Sequence, residues 1–282
     1  VHGPGIADNS TGVAGLLALG ATIKRHKIQT AADIWLVANV GEEGLGDLIG
    51  MRAVVDRFGP AAAYIIVEGG MYGFVLHEAI GVKRYRVTVN APGGHSWSDF
   101  GRISAIHVLG HLISRIDALS VPATPKTTFN VGVIEGGTSI NSIAQQASLQ
   151  LDLRSEDPGA LAALVEQFTG VVARVVRHYP DAKIELQTIG DRPAGSIARS
   201  TPLVQIADQA LRVVGCSNVR FLCGSTDANI PLSRGFAAVC IGLARSANAH
   251  RTDEYLDTTD LTAGMQQLLL VALAVSGFNS AA

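Results

Sequence analysis

The stretch Ile34-Trp35-Leu36-Val37-Ala38-Asn39-Val40-Gly41-Glu42-Glu43-Gly44 decides how the rest of the chain is interpreted. Its first seven residues form a largely apolar run, which is typical of a strand buried on both faces of a parallel sheet. Gly41 and Gly44 then permit a sharp turn that presents two adjacent carboxylates. Because open α/β sheets place their chemistry at the carboxyl ends of parallel strands, Glu42 and Glu43 are predicted to belong to a functional site. The alternative is a solvated turn with two surface acids.

Composition excludes several classes of protein. With 282 residues, 48% of them hydrophobic, the chain can bury the cores of two domains. The net charge is −2 and no cluster of Lys and Arg occurs, so neither nucleic acid nor an anionic membrane is an expected partner. The longest apolar stretch, residues 268–275, is too short to cross a bilayer. Cys216, Cys223 and Cys240 lack Cys-x-x-Cys spacing and predict reduced thiols in a cytoplasmic protein.

The chain repeats its opening pattern of strand, acid and glycine. A helix that Ser10 or Thr11 can cap is predicted to lead to Ile23 and a basic end at Lys24-Arg25-His26, and a second helix is predicted from about 47 to 57. The apolar residues 63–67 then predict a strand that ends at Glu68-Gly69-Gly70. This alternation predicts a mostly parallel sheet covered by helices, with the acids at one rim.

The pattern of apolar and polar residues changes at about residue 82. Alternating residues 84–89 predict a half-exposed strand, and further strands are expected at residues 127–134, 146–153 and 183–188. Helices predicted at 104–119 and 158–178 complete a β-α-β-β-α-β order, that of a small α+β sandwich. We therefore predict an inserted domain over residues 82–194 that divides the catalytic domain into residues 1–81 and 195–282. The second part carries predicted helices at about 201–214 and 259–276, with strands ending at Leu222 and spanning 237–241.

Candidate metal ligands follow these strands in loops. Mixed carboxylate and imidazole ligands suit zinc, with manganese or cobalt as alternatives. One acid can bridge two ions about 3.5–4 Å apart, and a further acid that binds no metal is then needed to take a proton from water. A Ser-His-Asp hydrolase is less favoured, because no Gly-x-Ser-x-Gly follows a predicted strand. The candidates are Asp8, Glu42, Glu43, Glu68 and His250.

Six short motifs follow one another along the chain: Gly3-Pro4-Gly5-Ile6-Ala7-Asp8-Asn9, Gly41-Glu42-Glu43-Gly44, Glu68-Gly69, Gly93-Gly94-His95, Gly224-Ser225-Thr226-Asp227-Ala228-Asn229 and Ala249-His250-Arg251-Thr252-Asp253-Glu254. Their order and spacing carry a resemblance to a known family. The chain resembles the dizinc peptidases and deacylases that include glutamate carboxypeptidase, succinyl-diaminopimelate desuccinylase, aminoacylase-1 and peptidase T. Its last two motifs look most like those of the peptidase-T-like branch, and the resemblance covers nearly all 282 residues.

The resemblance implies a role for each candidate at the metal centre. Asp8 would bridge two divalent ions, most simply zinc, with a cis peptide bond to Asn9. Glu42 would be the general base and later the proton donor to the leaving amine. The remaining ligands would be Glu43 and His250 at one metal site and Glu68 at the other.

The inserted domain, residues 82–194, would be the family's dimerisation or lid domain, and the chain a homodimer. The resemblance implies that His95 reaches the partner subunit's active site and stabilises the oxyanion of the tetrahedral intermediate. Asn141 and Arg154 would bind polar groups or the carboxylate of the substrate.

One departure from the family concerns the second metal site. The family has a His-x-Asp motif before the bridging Asp, and no residue before Asp8 supplies it here, His2 being a spectator. The second site is thus incomplete in this chain, and we expect that the natural protein carries a further N-terminal segment. The leading hypothesis is a metal-dependent hydrolase that cleaves an amide bond of a small peptide or N-acyl amino acid. The alternative is a metal-poor, non-catalytic remnant used for dimerisation or ligand binding.

The type of substrate stays open at this point. Glu at position 68 is associated in the family with deacylases and carboxypeptidases, whereas the peptidase-T-like loops favour an aminopeptidase.

Overall fold

The computed structural model describes residues 1–278, and most of its elements follow the predicted periodicity. The helices are α1 (Thr11–Arg25), α2 (Ile49–Phe58), α3 (Ala105–Asp117), α4 (Pro158–His178), α5 (Pro202–Val213), α6 (Asn229–Ser233) and α7 (Leu261–Ser276). The strands are β1 (Tyr64–Glu68), β2 (Phe74–Ala79), β3 (Gly81–Asn90), β4 (Gly94–His95), β5 (Thr127–Gly136), β6 (Ser142–Ile143), β7 (Gln146–Ser155), β8 (Lys183–Arg192), β9 (Gly195–Ser196), β10 (Arg220–Gly224), β11 (Ala238–Gly242), β12 (Arg245–Ala247) and β13 (Tyr255–Asp257). The chain divides into two units, one formed by Val1–Ala79 with the residues from Gly195 onward, the other by Ile80–Ala194.

The first unit is built on a mixed sheet with the strand order β1-β11-β2-β10, and β9 pairs with β2. Strand β1 runs parallel to β11, and β10 runs parallel to β2, whereas β11 and β2 are antiparallel. The sheet is therefore of the α/β class that the sequence predicted. Glu68 pairs with Gly242 at the carboxyl end of β1, which is the end predicted to carry the site.

Helices cover both faces of this sheet. Val239 and Ile241 of β11 pack into one core with side chains from α1, α5 and α7. Their neighbours Ala238 and Cys240 point the other way, into a core shared with α2 and α6. Every residue of β11 is consequently buried, as expected for a central strand between two helical layers.

The predicted buried strand over residues 33–40 is wrong. The segment is extended, but among residues 1–278 none of the backbone groups of residues 33–39 is hydrogen-bonded to another backbone group. Trp35 is 65% exposed and Val40 is 78% exposed. A strand needs a neighbouring backbone as well as apolar side chains, and β1 bonds only to β11.

A cavity of about 500 Å³ separates this segment from the sheet. Residues 32–43 form one wall, and β1 with residues from α1, α2 and α7 forms the others. Most of the lining is apolar, but Asp8, Glu42, Glu43, Glu68 and Asp227 also line it. The cavity therefore brings four of the five predicted site residues of this unit together, namely Asp8, Glu42, Glu43 and Glu68, whereas His250 is not part of its lining.

Strand β2 was not predicted from the sequence. Residues 74–79 include His77 and Glu78, which interrupt any simple apolar pattern. His77 is nevertheless buried, and its Nδ1 lies 2.8 Å from the carbonyl oxygen of Ile197. A buried histidine whose hydrogen bond is satisfied thus interrupts the apolar pattern by which a strand would be predicted.

The second unit has an antiparallel sheet with the order β5-β7-β3-β8. Alternate residues of β7 are buried, so one face of the sheet packs against α3 and α4. Helix α4, with 21 residues, is long and apolar enough by composition to cross a membrane. Its apolar stripe instead lies in the core, where Phe168 is fully buried against Tyr85. The helix is accounted for as a core helix of this unit.

Candidate metal centre

Asp8 lies in an irregular turn between Gly5 and α1. Gly5 has a φ of 72°, a left-handed conformation that favours glycine, and Asp8 and Asn9 have non-helical backbone angles. The peptide bond between Asp8 and Asn9 is cis, as the resemblance implied. The turn therefore presents the Asp8 side chain just ahead of α1.

The side chain of Asn9 attaches this turn to the end of β1. Its Nδ2 donates to the carbonyl oxygen of Val67 at 2.9 Å, and its Oδ1 accepts from the backbone N–H groups of Gly69 at 2.9 Å and Gly12 at 3.1 Å. Gly69 is required here, since a Cβ at this position would lie 2.2 Å from the carbonyl oxygen of Ala7. These contacts bring Asp8 close to Glu68.

Asp8, Glu43 and His250 meet at one point. The Nε2 atom of His250 lies 2.8 Å from Oδ2 of Asp8 and 3.2 Å from Oε1 of Glu43. One ligand atom from each of the three residues falls within 4.8 Å of the others, and this is the only such group among residues 1–278. Two carboxylate oxygens and an imidazole nitrogen in this arrangement fit a divalent cation such as zinc.

The electrostatics of the group also fit a cation. Burial raises the pKa of Glu43, and its hydrogen bond with Asp8 raises it further. The hydrogen bond to Asp8, with the charge of Glu43, raises the pKa of His250. Crowded carboxylates disfavour one another's charged forms, and a positive ion bound among them would relieve that repulsion.

Glu68 lies beside this group, outside the three-residue cluster. Burial, followed by the negative charges of Asp8, Glu42, Asp227 and Glu43, raises the pKa of Glu68 to about 8. A cation bound beside this carboxyl group would offset the neighbouring negative charges and favour its charged form.

Glu42 is half-buried and lines the same cavity as Asp8 and Glu68. The Asn39 side chain, three residues before it, donates to Oδ2 of Asp227 at 2.8 Å. Asp227 could pass as a metal ligand on sequence alone, yet it lies outside the cluster and is only 8% exposed. The bond ties the extended segment that carries Glu42 and Glu43 to the loop after β10.

His95, Asn141 and Arg154 lie in the second unit. His95 and Asn141 belong to neighbouring exposed segments, joined by a 2.9 Å bond from the N–H of Ser96 to the carbonyl oxygen of Asn141. Arg154 donates through Nε to Oδ2 of Asp152 at 2.6 Å. The structure thus places His95 beside Asn141, and it gives Arg154 an ion-pair partner that sequence reasoning missed.

Comparison with known families identifies the family of this chain. The model of the peptidase family M20/M25/M40 matches residues 1–274, and the chain belongs to that family. It is accordingly a hydrolase of a metal-dependent class.

Similar proteins share the fold at low sequence identity. A tripeptidase from Staphylococcus aureus subsp. aureus Mu50 is 24% identical, with a TM-score of 0.81 over 96% of this chain and 71% of that one. The aminopeptidase PepT from Bacillus cereus ATCC 10987 is 20% identical, with a TM-score of 0.77 over the same shares. The protein YqjE of Bacillus subtilis strain 168 is 23% identical over 94% of this chain and 70% of its own length.

Proposed function

We propose that this chain hydrolyses an amide bond of a small substrate, with Glu42 as the general base beside a metal centre that includes Asp8, Glu43 and His250. The observation that carries the proposal is the contact of those three side chains next to a cavity that Glu42 and Glu68 also line. Membership of a peptidase family supports this reading over a non-catalytic remnant.

The adjacent residues Glu42 and Glu43 are proposed to have different roles, proton transfer and metal binding respectively. When bound, a divalent cation supplies the Lewis acidity that polarises the amide carbonyl and acidifies a water molecule. Glu43 contacts His250 within the ligand cluster, whereas Glu42 lies outside the cluster and lines the adjacent cavity, so Glu42 is the acid we assign to proton transfer. Glu42 takes the proton from the attacking water and then delivers it to the leaving nitrogen.

Two metal ions, most simply zinc, are proposed, and the Asp8 carboxylate would serve as a ligand to both. Glu68 would hold the second ion. Burial, followed by the negative charge of Asp8, raises the pKa of Glu68, and a cation at this position would favour its charged form. Carboxylate and imidazole donors suit zinc better than calcium or magnesium, while cobalt and manganese remain alternatives to be measured.

The substrate class proposed is a short peptide, with N-acyl amino acids as the second choice. The printed names of the similar proteins, a tripeptidase and an aminopeptidase, support peptides. A hydantoinase/carbamoylase family amidase from Burkholderia ambifaria, 19% identical with a TM-score of 0.65, supports amide substrates of other kinds.

The second unit is proposed to supply a dimer interface and substrate contacts. Strand β5 is at the edge of its sheet, and Ile134 on it is 59% exposed, so the edge is available to a second copy. Light scattering on an Ile134→Lys variant tests this interface, and a dimer that persists in the variant argues against β5.

His95 is proposed to act in the active site of the partner subunit. Its Nδ1 accepts from the N–H groups of Trp97 and Ser98, so the neutral ring carries its proton on Nε2. That N–H is the donor needed to stabilise an oxyanion. Asn141 and Arg154 are proposed to bind polar groups of the substrate.

The activity is tested with the zinc- or cobalt-loaded chain, a panel of di- and tripeptides, and N-acetyl amino acids. Glu42→Gln should lower kcat by about 10²- to 10⁴-fold, the usual contribution of a general base, with the metal content unchanged. Glu78→Gln changes an exposed glutamate of the same unit and should keep full activity. Full turnover in Glu42→Gln would remove Glu42 from the mechanism, and a wild-type chain without bound metal or turnover would favour the non-catalytic remnant.

A further inference from the structure

Glu254 is a buried carboxylate that lies against the turn carrying Asp8. Its side chain is 1% exposed. Oε1 accepts from the backbone N–H groups of Ala7 at 2.8 Å and Asp8 at 3.0 Å, and Oε2 accepts from that of Gly5 at 2.9 Å. Both oxygens are thus engaged with the backbone of one short turn.

The backbone around Glu254 sets the register of these contacts. The N–H of Gly3 donates to the carbonyl oxygen of Glu254 at 2.9 Å, and the N–H of Leu256 donates to that of Val1 at 2.8 Å. Residues 1–3 therefore lie alongside residues 254–256. This pairing delivers the following turn directly onto the Glu254 carboxylate.

The same loop holds Asp8 from two directions. His250, four residues before Glu254, contacts the Asp8 carboxylate, while Glu254 binds the Asp8 backbone. The bond from Ala7 is buried, and those from Gly5 and Asp8 are partly buried. An N–H that loses its acceptor when shielded from water destabilises the conformation that shields it, so the three bonds together hold this turn in place. With both oxygens engaged and the group buried, Glu254 is not itself placed to bind a metal.

We propose that Glu254 is a positioning residue that fixes the Asp8 turn relative to His250 and so preorganises the metal centre without contributing a ligand. The proposal rests on the metal-dependent function proposed above. Residues that orient metal ligands in this way commonly change metal affinity by about 10- to 100-fold when they are replaced.

The first test needs no metal. Hydrogen–deuterium exchange of the metal-free chain should be at least about tenfold faster over residues 5–8 in Glu254→Gln than in the wild type, because the carboxamide places an NH₂ group against backbone donors. Glu78→Gln, an exposed control in the same unit, should exchange as the wild type does. Unchanged protection of residues 5–8 in Glu254→Gln would overturn the proposal even if the wild type proves to be an active hydrolase.

The second test measures zinc affinity by competition with a chelating dye. Glu254→Gln should bind zinc about 10- to 100-fold more weakly, and excess zinc should restore its kcat, since the ligands and Glu42 are intact. If Glu254→Gln only lowered the stability of the fold, excess zinc would not restore its kcat. If Glu254→Gln fails to fold, Glu254→Asp, which keeps the charge but shortens the reach, serves instead. Zinc affinity equal to that of the wild type in the folded variant would contradict the proposal.

Discussion

The Nε2 atom of His250 lies 2.8 Å from Oδ2 of Asp8, although the two residues are 242 positions apart in the chain. Asp8 is held on a turn before α1, and His250 is held on the loop between β12 and β13. Because neither loop contains all of the proposed ligands, the proposed metal centre can form only when the first unit is folded. Metal binding and folding of that unit are therefore expected to be linked.

Removal of the imidazole should weaken the metal centre directly. In His250→Ala, zinc affinity measured by competition with a chelating dye should fall by at least about tenfold, since a direct ligand contributes no less than the groups that orient it. His26→Ala, an exposed histidine at the end of α1, is the matched control and should bind zinc as the wild type does. Equal affinity in His250→Ala would show that the cluster is not the binding site.

The extended segment over residues 33–39 should exchange its amide hydrogens rapidly. No backbone hydrogen bond protects these amides among the described residues, whereas residues 65–67 of β1 pair with β11. Hydrogen–deuterium exchange with mass spectrometry compares the two segments in one experiment. Slow exchange over residues 33–39 would mean that the segment has a strand partner in solution.

The core of the second unit should depend on Phe168. This side chain is fully buried and its ring centroid lies 5.2 Å from that of Tyr85. Phe168→Ala should lower the free energy of unfolding by about 3–5 kcal/mol in urea titrations, because a buried cavity replaces the ring. Phe100, which is 91% exposed, offers the control, and Phe100→Ala should change stability by less than about 0.5 kcal/mol.

Asp152 should make the stability of the second unit fall in acid. Burial acts to raise the pKa of Asp152. Hydrogen bonds from Arg154 and Arg84, together with the charges of these two residues, outweigh that effect and lower the pKa overall. With the folded pKa below the unfolded one, the stabilisation is present above the unfolded pKa of about 3.9 and is lost as the pH falls through the folded value.

Urea titrations between about pH 5 and pH 2 measure this loss. The free energy of unfolding should fall less steeply toward low pH in Asp152→Asn than in the wild type. Asp117→Asn, at the exposed end of α3, should keep the wild-type slope. Identical slopes in Asp152→Asn and the wild type would show that the two arginines do not favour the ionised carboxylate in solution.

Local sequence signals located most of the elements because their causes are local. Asp157 caps α4 by accepting from the N–H of Ala160, and Pro158 occupies the first turn, so this helix start is written in four adjacent residues. Glu42, Glu43 and Glu68 were likewise visible as candidates, since an apolar run precedes them, although only Glu68 ends a strand. The cis peptide bond at Asp8 came from the motif that resembles the family, and the structure agrees.

The errors concern pairing between distant backbones. The apolar residues 34–40 have the composition of a buried strand, but composition does not supply a neighbour, and the segment is exposed. Strand β2 was missed for the opposite reason, since buried His77 is satisfied by Ile197, 120 positions away. No local pattern contains either fact.

The amino-acid sequence alone was sufficient for the α/β class, the family motifs and the residue types that could bind metal. Only the tertiary structure decided which of those residues meet: Asp8, Glu43 and His250 form the cluster, Glu68 stands beside it, and Glu254 binds the backbone of the Asp8 turn. The physical reason is that ligand geometry depends on loops brought together over more than 200 positions, whereas periodicity and capping act within a few residues.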